Sequence, residues 1–439
     1  MNLSVEQVLA LAPDASAASA ARKLGVAKPW TGLGRSERAL WGECQGSALY
    51  QVRVDLTDMA TKCSCPSRKF PCKHALGMLL LAASSPPLFA ASPHPEWVSD
   101  WLGRRASSAE RKEARAAEPA KAPDPAAQAK RAEQRLARVR KGVDALDLWM
   151  CDLIRNGLAA AQSQAPWEAQ AARLVDAQAP ALASRVRRLA EVDGKDGQWT
   201  VRALGELGKI ALLTHAFRRI DVLPAPLRSD VRQMIGWTFT QEEVAESGEA
   251  VNDEWLVTGQ WVEDADRVRV QRSWLVGSRT SRTALVLQFS AGGAPFGENV
   301  IPGTAFEADL VYWPSASPLR ATIRARVGSQ RVWTGRLPGF DRVDAFLASV
   351  AEATARMPWH ERAVACLRGV TPIHLGTRGR IVRDVDGNAL PLAPLDAWPL
   401  FALSGGSPVD LAAEWDGDTL VPLAAVVDGA FHLLAKGGA

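Results

Sequence analysis

Residues 63–74 read Cys63-Ser64-Cys65-Pro66-Ser67-Arg68-Lys69-Phe70-Pro71-Cys72-Lys73-His74, and they hold three of the chain's six cysteines and one of its six histidines. The pattern is C-x-C, six residues, then C-x-H. Three thiolates and one imidazole make a tetrahedral Cys₃His set, the usual closed ligand set of a structural zinc site. Sulfur and nitrogen donors favour zinc over calcium or magnesium, which prefer oxygen. The stretch therefore predicts one structural Zn²⁺ held by Cys63, Cys65, Cys72 and His74.

The spacing also predicts how the backbone presents these ligands. In extended chain, side chains at i and i+2 point the same way, so Cys63 and Cys65 can face one metal from a strand. In a helix the same spacing separates side chains by about 200°. Cys72 and His74 are therefore predicted at a turn or a helix entry. A chance cluster or a redox-active C-x-C pair is the alternative, and the second pair, C-x-H, favours a metal.

These residues resemble the SWIM zinc finger, a module written C-x-C-x(n)-C-x-H that occurs in bacterial proteins, Swi/Snf-type ATPases and plant transposase-like proteins. The flanks fit too, since Gly46-Ser47 leads into a strand-like run and Lys73-His74 opens an apolar helix. The resemblance covers about residues 39–84. It implies a ββα unit that binds DNA or protein. Bacterial members often occur beside AAA-type ATPases and von Willebrand A-type proteins, which implies an assembly role.

The whole chain is typical of a globular protein with several domains. It has 439 residues, 47% hydrophobic and 23% charged, and a net charge of +4, so only local patches could attract a polyanion. Cys44, Cys151 and Cys366 lie far apart, which argues against a disulfide framework and for a reducing compartment. The N-terminus lacks the basic region of a signal peptide, and the longest apolar runs are about half of a membrane span. We expect a cytoplasmic protein with no membrane partner.

Four cations surround the predicted ligands, with no acidic residue from 59 to 74: Lys62, Arg68, Lys69 and Lys73. One interpretation is phosphate contact at a nucleic-acid surface. The other is that cations stabilise the net charge of −1 that three thiolates, a neutral histidine and Zn²⁺ carry together. The sequence leaves both open.

Composition and periodicity predict an α+β multidomain chain with an N-terminal ββα zinc finger, a middle helical bundle-like region and C-terminal antiparallel β-rich regions. The predicted units are an N-terminal domain at 1–103 with the finger at 39–84, a basic Ala/Pro-rich linker at 104–128, a helical domain at 129–245, a β-rich domain at 246–340, and a helix plus β-rich domain at 341–439. From Arg104 to Lys141 there are twelve basic and five acidic residues, a local net charge of +7. This run is either a nucleic-acid-binding arm or a solvated helix face or tether.

Local patterns refine the C-terminal two thirds of the chain. A three-four apolar spacing from Leu136 to Leu153 predicts a helical seam, and two further helices are predicted at 166–192 and 198–221. Alternation at 267–271 and in later segments predicts an antiparallel sheet, sandwich or barrel. A barrel with basic strands could bind single strands, although arginine on the wet face of a sheet is commoner. Asp341 is predicted to cap a helix that ends near Met357, and three Asp-Gly pairs at 386, 416 and 428 predict hairpin turns.

The sequence contains no phosphate-binding loop, no H-E-x-x-H, no G-x-S-x-G and no dinucleotide-binding fingerprint. A zinc ion with four protein ligands has no open position for water, so we expect no enzyme and no small-molecule substrate. The predicted function is a zinc-binding module that contacts DNA or RNA through Lys62, Arg68, Lys69, Lys73 and the tether. The alternative is a protein–protein adaptor in a multiprotein assembly, such as one associated with an AAA-type ATPase. An enzyme site hidden in the C-terminal β regions is a third, weaker hypothesis.

Overall fold

The computed structural model describes most of the chain in ten segments, which form 12 α-helices and 16 β-strands. The described residues are 3–13, 15–67, 69–117, 125–158, 163–191, 199–265, 268–291, 296–297, 300–394 and 397–434. None of the helices in these segments has the length and the apolar character that crossing a membrane requires. The mixed α+β class and the predicted order of finger, helical region and β-rich regions are confirmed.

The N-terminal domain is a twisted sheet with helices on both faces. Its elements are α1 (Val5–Ala10), α2 (Ala15–Leu24), β1 (Trp30–Arg35), β2 (Ala39–Gln45), β3 (Leu49–Asp55), β4 (Thr61–Cys63), α3 (Lys73–Ser84), β5 (Ala90–Ala91) and α4 (Glu96–Ala117). The strand order is β4-β3-β2-β1-β5, and only the β1–β5 pair is parallel. The predicted ββα unit is thus β3, β4 and α3 within a larger sheet.

Helix α3 is the centre of this domain's core. All but the ends of the helix are buried, and α1 and α2 pack against it together with Val52 and Val54 of β3. The approach of α2 is close, because a Cβ placed on Gly77 would lie 2.6 Å from the Cβ of Leu24. The helix that follows the zinc ligands therefore stabilises about 90 residues, not only the finger.

Helix α4 covers the opposite face of the sheet. Val98 and Leu102 pack on Ala39 and Trp41. The helix runs unbroken to Ala117, and α5 begins at Pro125, so helix occupies much of the predicted 104–128 linker. Residues 118–124, where the prediction placed most of its prolines, lie outside the described residues.

The helical region contains six helices: α5 (Pro125–Asn156), α6 (Gln164–Asp176), α7 (Pro180–Arg188), α8 (Trp199–Arg218), α9 (Ala225–Ile235) and α10 (Gln241–Ser247). The first five surround one apolar core, whereas Val244 of α10 packs against Val311 and Trp313. The predicted seam of α5 is in this core, with Val139, Val143 and Leu146 fully buried. The single helix predicted at 166–192 is wrong. It breaks into α6 and α7 because Gln178 has a positive φ of 63° and Pro180 starts a new helix.

The first β-rich unit is a closed five-stranded barrel. Its strands are β6 (Glu249–Ala265), β7 (Val268–Gly277), β8 (Thr283–Ala291), β9 (Thr304–Tyr312) and β10 (Arg320–Val332). Four of the five pairings are antiparallel, as predicted, but the pairing of β8 with β10 that closes the barrel is parallel. Local alternation could not reveal this pair, because strand direction depends on the connections between distant segments.

The C-terminal unit is an open six-stranded sheet with two helices. Its elements are α11 (Val343–Arg356), β11 (Ala363–His374), β12 (Arg380–Arg383), β13 (Ala389–Pro391), α12 (Trp398–Ser404), β14 (Val409–Trp415), β15 (Leu420–Val427) and β16 (Ala430–Leu433), in the order β13-β12-β11-β14-β15-β16. Each predicted Asp-Gly turn joins two adjacent strands, and all three glycines have positive φ.

The predicted cap of α11 is wrong. Arg342 is the N-cap residue. The backbone N–H of Val343, the first residue of the helix, donates a 2.9 Å hydrogen bond to the carboxylate of the buried Asp384. Asp341 accepts from Arg368 at 2.5 Å. A distant carboxylate replaces the local one, which the local sequence pattern could not show.

The units contact one another through the barrel. Gln7 of α1 donates 3.2 Å to the carbonyl oxygen of Gly303, and Ile301 is buried in the N-terminal core. On the other side, the indole of Trp274 donates 2.7 Å to the buried carboxylate of Glu414 on β14.

Candidate metal centre

The hairpin of β3 and β4 delivers the first two ligands. Cys63 is the last residue of β4 and pairs with Val52 of β3. Ser64 continues the pairing, because its N–H donates 3.1 Å to the carbonyl of Gln51 and its hydroxyl accepts 2.9 Å from the N–H of Gln51. The N–H of Cys65 then turns back towards the sulfur of Cys63, at 3.5 Å. The chain is thus fixed where it presents both thiols to one side.

The entry to α3 delivers the other two ligands. Cys72 is the N-cap residue, with extended backbone (φ −74°, ψ 165°), and its Sγ accepts 3.5 Å from the N–H of Ala75. His74 lies in the first turn and is buried. The predicted position of this pair at a helix entry is confirmed. The N-terminal end of the helix dipole also favours the negative charge of a thiolate.

The four donor atoms converge. One ligand atom from each of Cys63, Cys65, Cys72 and His74 lies within 4.8 Å of all the others, and Cys63 Sγ is 3.8 Å from His74 Nδ1. In a tetrahedral zinc site with Zn–S bonds of about 2.3 Å, sulfur atoms are about 3.8 Å apart. The set therefore needs only a small contraction around an ion, and these residues are positioned to hold one zinc ion. Among the described residues this is the single cluster of such ligands.

The pKa values of the thiols follow from their crowding. Cys63 donates a hydrogen bond to Cys72, which lowers the pKa of Cys72 to about 4 and raises that of Cys63. Burial raises the pKa of Cys65. Cysteines bind zinc as thiolates, so zinc binding must release the protons that these thiols carry. Three sulfur donors and one imidazole, two of them buried and two half-buried, suit a zinc ion.

Tyr50 supports the histidine. Its ring lies 4.7 Å from the imidazole of His74 at an angle of 33°, and its hydroxyl is 2.6 Å from the hydroxyl of Ser47. Since Nδ1 of His74 faces the thiols, this contact holds the ring in the orientation that a metal needs. The sequence analysis did not identify Tyr50, although it lies two residues from the strand position that pairs with Cys63.

The predicted cationic contacts fall on two different surfaces. Lys62 pairs with Arg53 across β3 and β4, so it lies on the sheet face opposite to Cys63. Lys69 is exposed and donates 3.3 Å to Ser16 of α2, and Lys73 is exposed in the first turn of α3. Arg68 lies outside the described residues. The sequence run therefore does not form a single patch.

Lys62 belongs to a basic surface that also includes Arg53 of β3 and Arg104 of α4. Arg53 lies over the rings of Trp97 and Trp101, at 5.1 and 5.8 Å. Burial lowers the pKa of its guanidinium, and the positive charge of Arg104 lowers it further. Arg105 also contacts the ring of Trp101, at 5.4 Å, and pairs with Asp55 at 3.5 Å. The sequence analysis missed this arrangement. The alternation of β3 is its only local signal, because α4 is distant in sequence.

Comparison with known families identifies two regions. Residues 50–83 match the SWIM zinc finger, and residues 134–235 match the SWIM-associated four-helix bundle domain. The first match contains all four ligands, and the second spans α5 to α9. Neither a curated protein nor a solved structure matches the chain. The resemblance inferred from the Cys and His spacing is confirmed.

Proposed function

In a chain that carries a SWIM zinc finger and the four-helix bundle domain associated with it, we propose that the N-terminal domain is a non-catalytic binding module that contacts nucleic acid. Zinc would stabilise the domain through its free energy of binding. Four protein ligands leave no coordination position for a water molecule, which supports a structural and not a catalytic role.

The observation that carries the proposal is the basic surface formed by Lys62, Arg53 and Arg104 of α4. Lys62 points away from the thiolates, so neutralising the zinc cluster does not account for its charge. Among the described residues, Lys62 has no acidic partner within ion-pair distance. An exposed cation of this kind beside Arg53 of β3 and Arg104 of α4 is suited to phosphate contact. In the sequence, the run from Arg104 to Lys141 carries a net charge of +7, which also favours a polyanionic partner.

Lys73 has a different role in this proposal. It is adjacent to the ligand Cys72. Burial raises the pKa of Cys44, and the positive charge of Lys73 partly opposes that rise. Lys73 therefore lies where it can stabilise the net charge of −1 of a zinc-bound Cys₃His cluster. In this proposal Lys62 contacts phosphate, and Lys73 stabilises the charge of the zinc cluster. These are the two interpretations that the sequence left open.

Compartment and source are part of the proposal. None of the six cysteines, all of which the structure describes, forms a disulfide, which supports a reducing compartment and a cytoplasmic protein of the bacterial SWIM type.

Binding to random-sequence single- and double-stranded DNA and RNA across a salt series tests the proposal. We expect log K to fall with log salt by about 0.7 to 0.9 per phosphate contact. Lys62→Glu should reduce both affinity and slope. Lys209→Glu on α8, which makes the same change in net charge on the bundle, should leave them almost unchanged. Equal affinities for the two variants would refute a contact at Lys62.

One observation favours the second candidate function, a protein adaptor. The bundle exposes apolar side chains on α5 and α8, with Leu148 64%, Val201 65% and Leu204 54% exposed. Surface side chains of this kind are typical of protein interfaces. If the protein binds no nucleic acid at near-physiological salt, the adaptor hypothesis is favoured. Val201→Glu should then abolish the binding of an assembly partner such as an AAA-type ATPase.

A further inference from the structure

Helices α5 and α8 lie side by side in the bundle and run in opposite directions. Thr214 of α8 donates 2.7 Å to the carboxylate of Asp147 on α5. One turn further on, Arg218 donates 2.9 Å to Asp144. Each step forwards along α5 therefore corresponds to a step backwards along α8. This register fixes which residues of the two helices lie level with one another.

The outer sides of both helices carry apolar side chains, where polar ones are expected. On α5 these are Leu148 and Ile154, which are 64% and 46% exposed. On α8 they are Val201, Leu204 and Leu212, which are 65%, 54% and 47% exposed and share one side of the helix. The side of α8 that faces the core is apolar as well. A helix that is apolar on two opposite sides is typical of one with neighbours on both.

Gly208 lies in the middle of this outer side of α8. Among the described residues, a Cβ placed on it would meet no atom within 4 Å. A glycine inside a helix costs about 1 kcal/mol relative to alanine. Nothing that packs within the described chain requires the glycine, but its small size allows another helix to approach closely at this point.

The chain has no further segment that could cover this surface. The stretches between the described segments are short, and none of them holds more than one large apolar residue. The stretch that follows α5, at 159–162, reads Ala-Ala-Ala-Gln. A single apolar side chain cannot cover five exposed ones on two helices. The neighbour that this surface fits is therefore a second chain.

The charges at the edges of the surface indicate that this second chain is another copy of the same protein. Asp152 on α5 pairs with Arg155 at 3.3 Å, and Glu206 on α8 pairs with Lys209 at 2.7 Å. By the register of the two helices, Asp152 is level with Lys209, and Arg155 is level with Glu206. A two-fold axis parallel to the helices places α5 of one copy antiparallel on α8 of the other. The acid of each helix then comes level with the base of the other, so the surface is complementary to itself.

The apolar side chains match in the same arrangement. Leu148 comes nearly level with the partner's Leu212, and Ile154 with the partner's Gly208, which has room for it. Twenty residues of helix are about 30 Å long, and two adjacent helices are about 20 Å wide. A face of this size is close to the roughly 800 Å² that each partner buries in a standard interface.

We propose that two copies of the protein form a dimer through the outer sides of α5 and α8. The four helices, two from each copy, form an antiparallel bundle around a two-fold axis. The proposal does not depend on nucleic-acid binding by the finger. It places a second copy of this chain on the surface where the adaptor hypothesis places a different protein.

Sedimentation equilibrium of the full-length protein tests the dimer. We expect a dissociation constant on the order of 1 μM, since interfaces of this size range from micromolar to tighter. Leu148→Glu should weaken dimerisation at least about a hundredfold, because it brings one charge from each copy into the apolar interface. Val327→Glu, at a 66% exposed position on β10, is the matched control and should dimerise as wild type does. Both variants should fold, since both side chains are exposed in the monomer.

An exchange of charges tests the arrangement of the helices. Asp152→Lys and Lys209→Asp should each weaken dimerisation, because each places like charges level across the interface. The double variant should recover most of the loss, since it restores an acid opposite a base. If the charges act only within their own helices, both local pairs are lost in the double variant and the two losses add. Additive losses therefore overturn the proposed arrangement.

A wild-type protein that remains monomeric at about 100 μM overturns the dimer and leaves the surface to the partner of the adaptor hypothesis. Equal dissociation constants for Leu148→Glu and Val327→Glu would also overturn it, because the copies would then meet elsewhere. The nucleic-acid assay is run below the concentration at which the protein dimerises. The effect of Lys62→Glu in that assay is then independent of the dimer, so either proposal can fail alone.

Discussion

Lys62 and Cys63 are consecutive residues of β4, yet they face opposite sides of the N-terminal sheet. Cys63 points to the metal cluster and the core around α3. Lys62 points to the face that α4 covers, where it lies beside Arg53. One step along a strand therefore separates a metal ligand from a candidate phosphate contact. Their neighbourhood in sequence had suggested one shared surface.

This separation predicts different effects for the two lysines on zinc. Lys73→Glu should reduce zinc affinity about tenfold, because it places a negative charge next to Cys72 and the net-negative cluster. Lys62→Glu makes the same change in charge on the other face and should leave zinc affinity unchanged. Competition against a zinc chelator measures both. An equal loss of zinc affinity in the two variants would show that a charge on either face of the sheet affects the metal to the same extent.

Removal of one ligand should unfold more than the finger. Purified protein should carry about one zinc per chain, and Cys72→Ser should lose it. Since α3 forms the centre of the core shared with α1, α2 and the sheet, hydrogen exchange should increase across residues 3–91, beyond the 39–84 that the resemblance covers. Cys151→Ser, at an exposed cysteine on α5, is the matched control and should keep both zinc and protection. A metal-free wild type that retains its protection in this region would contradict the prediction.

The close approach of α2 and α3 predicts opposite effects at two helical glycines. Gly77→Ala should lower the free energy of unfolding of the N-terminal domain by about 1–3 kcal/mol, because its Cβ would lie 2.6 Å from that of Leu24. Gly205→Ala on α8 meets no atom within 4 Å and should raise stability by up to about 1 kcal/mol through helix propensity. Urea unfolding measures both. A stabilising effect at Gly77 would show that the two helices can separate without cost.

A feature could be predicted from the sequence when the residues that determine it lie close together along the chain. The ligand set, the helix entry at Cys72 and the Asp-Gly turns each depend on a few consecutive residues, and local chemistry predicted them. The buried seam of α5 could also be predicted, because its apolar residues recur with the period of a single α-helix. The parallel closing pair of the barrel and the Arg53–Trp97 contact were not, since each joins segments that no local pattern connects. The cap of α11 failed for the same reason, because its acceptor, Asp384, is about 40 residues away.

The contact between the barrel and the C-terminal sheet is the last feature that can be tested by substitution. Glu414 is buried, accepts 2.7 Å from the indole of Trp274 and forms an ion pair with Arg362. Glu414→Ala leaves a buried indole N–H without an acceptor and Arg362 without its counter-charge, so we expect a loss of about 2–4 kcal/mol in the free energy of unfolding. Glu352→Ala on α11 is the control, because this exposed glutamate pairs only with Arg356 one turn away and should contribute less than about 1 kcal/mol. Unfolding in urea, followed by tryptophan fluorescence, compares the two. Equal losses would mean that the barrel and the sheet are held together by apolar packing alone, with no net contribution from the buried carboxylate.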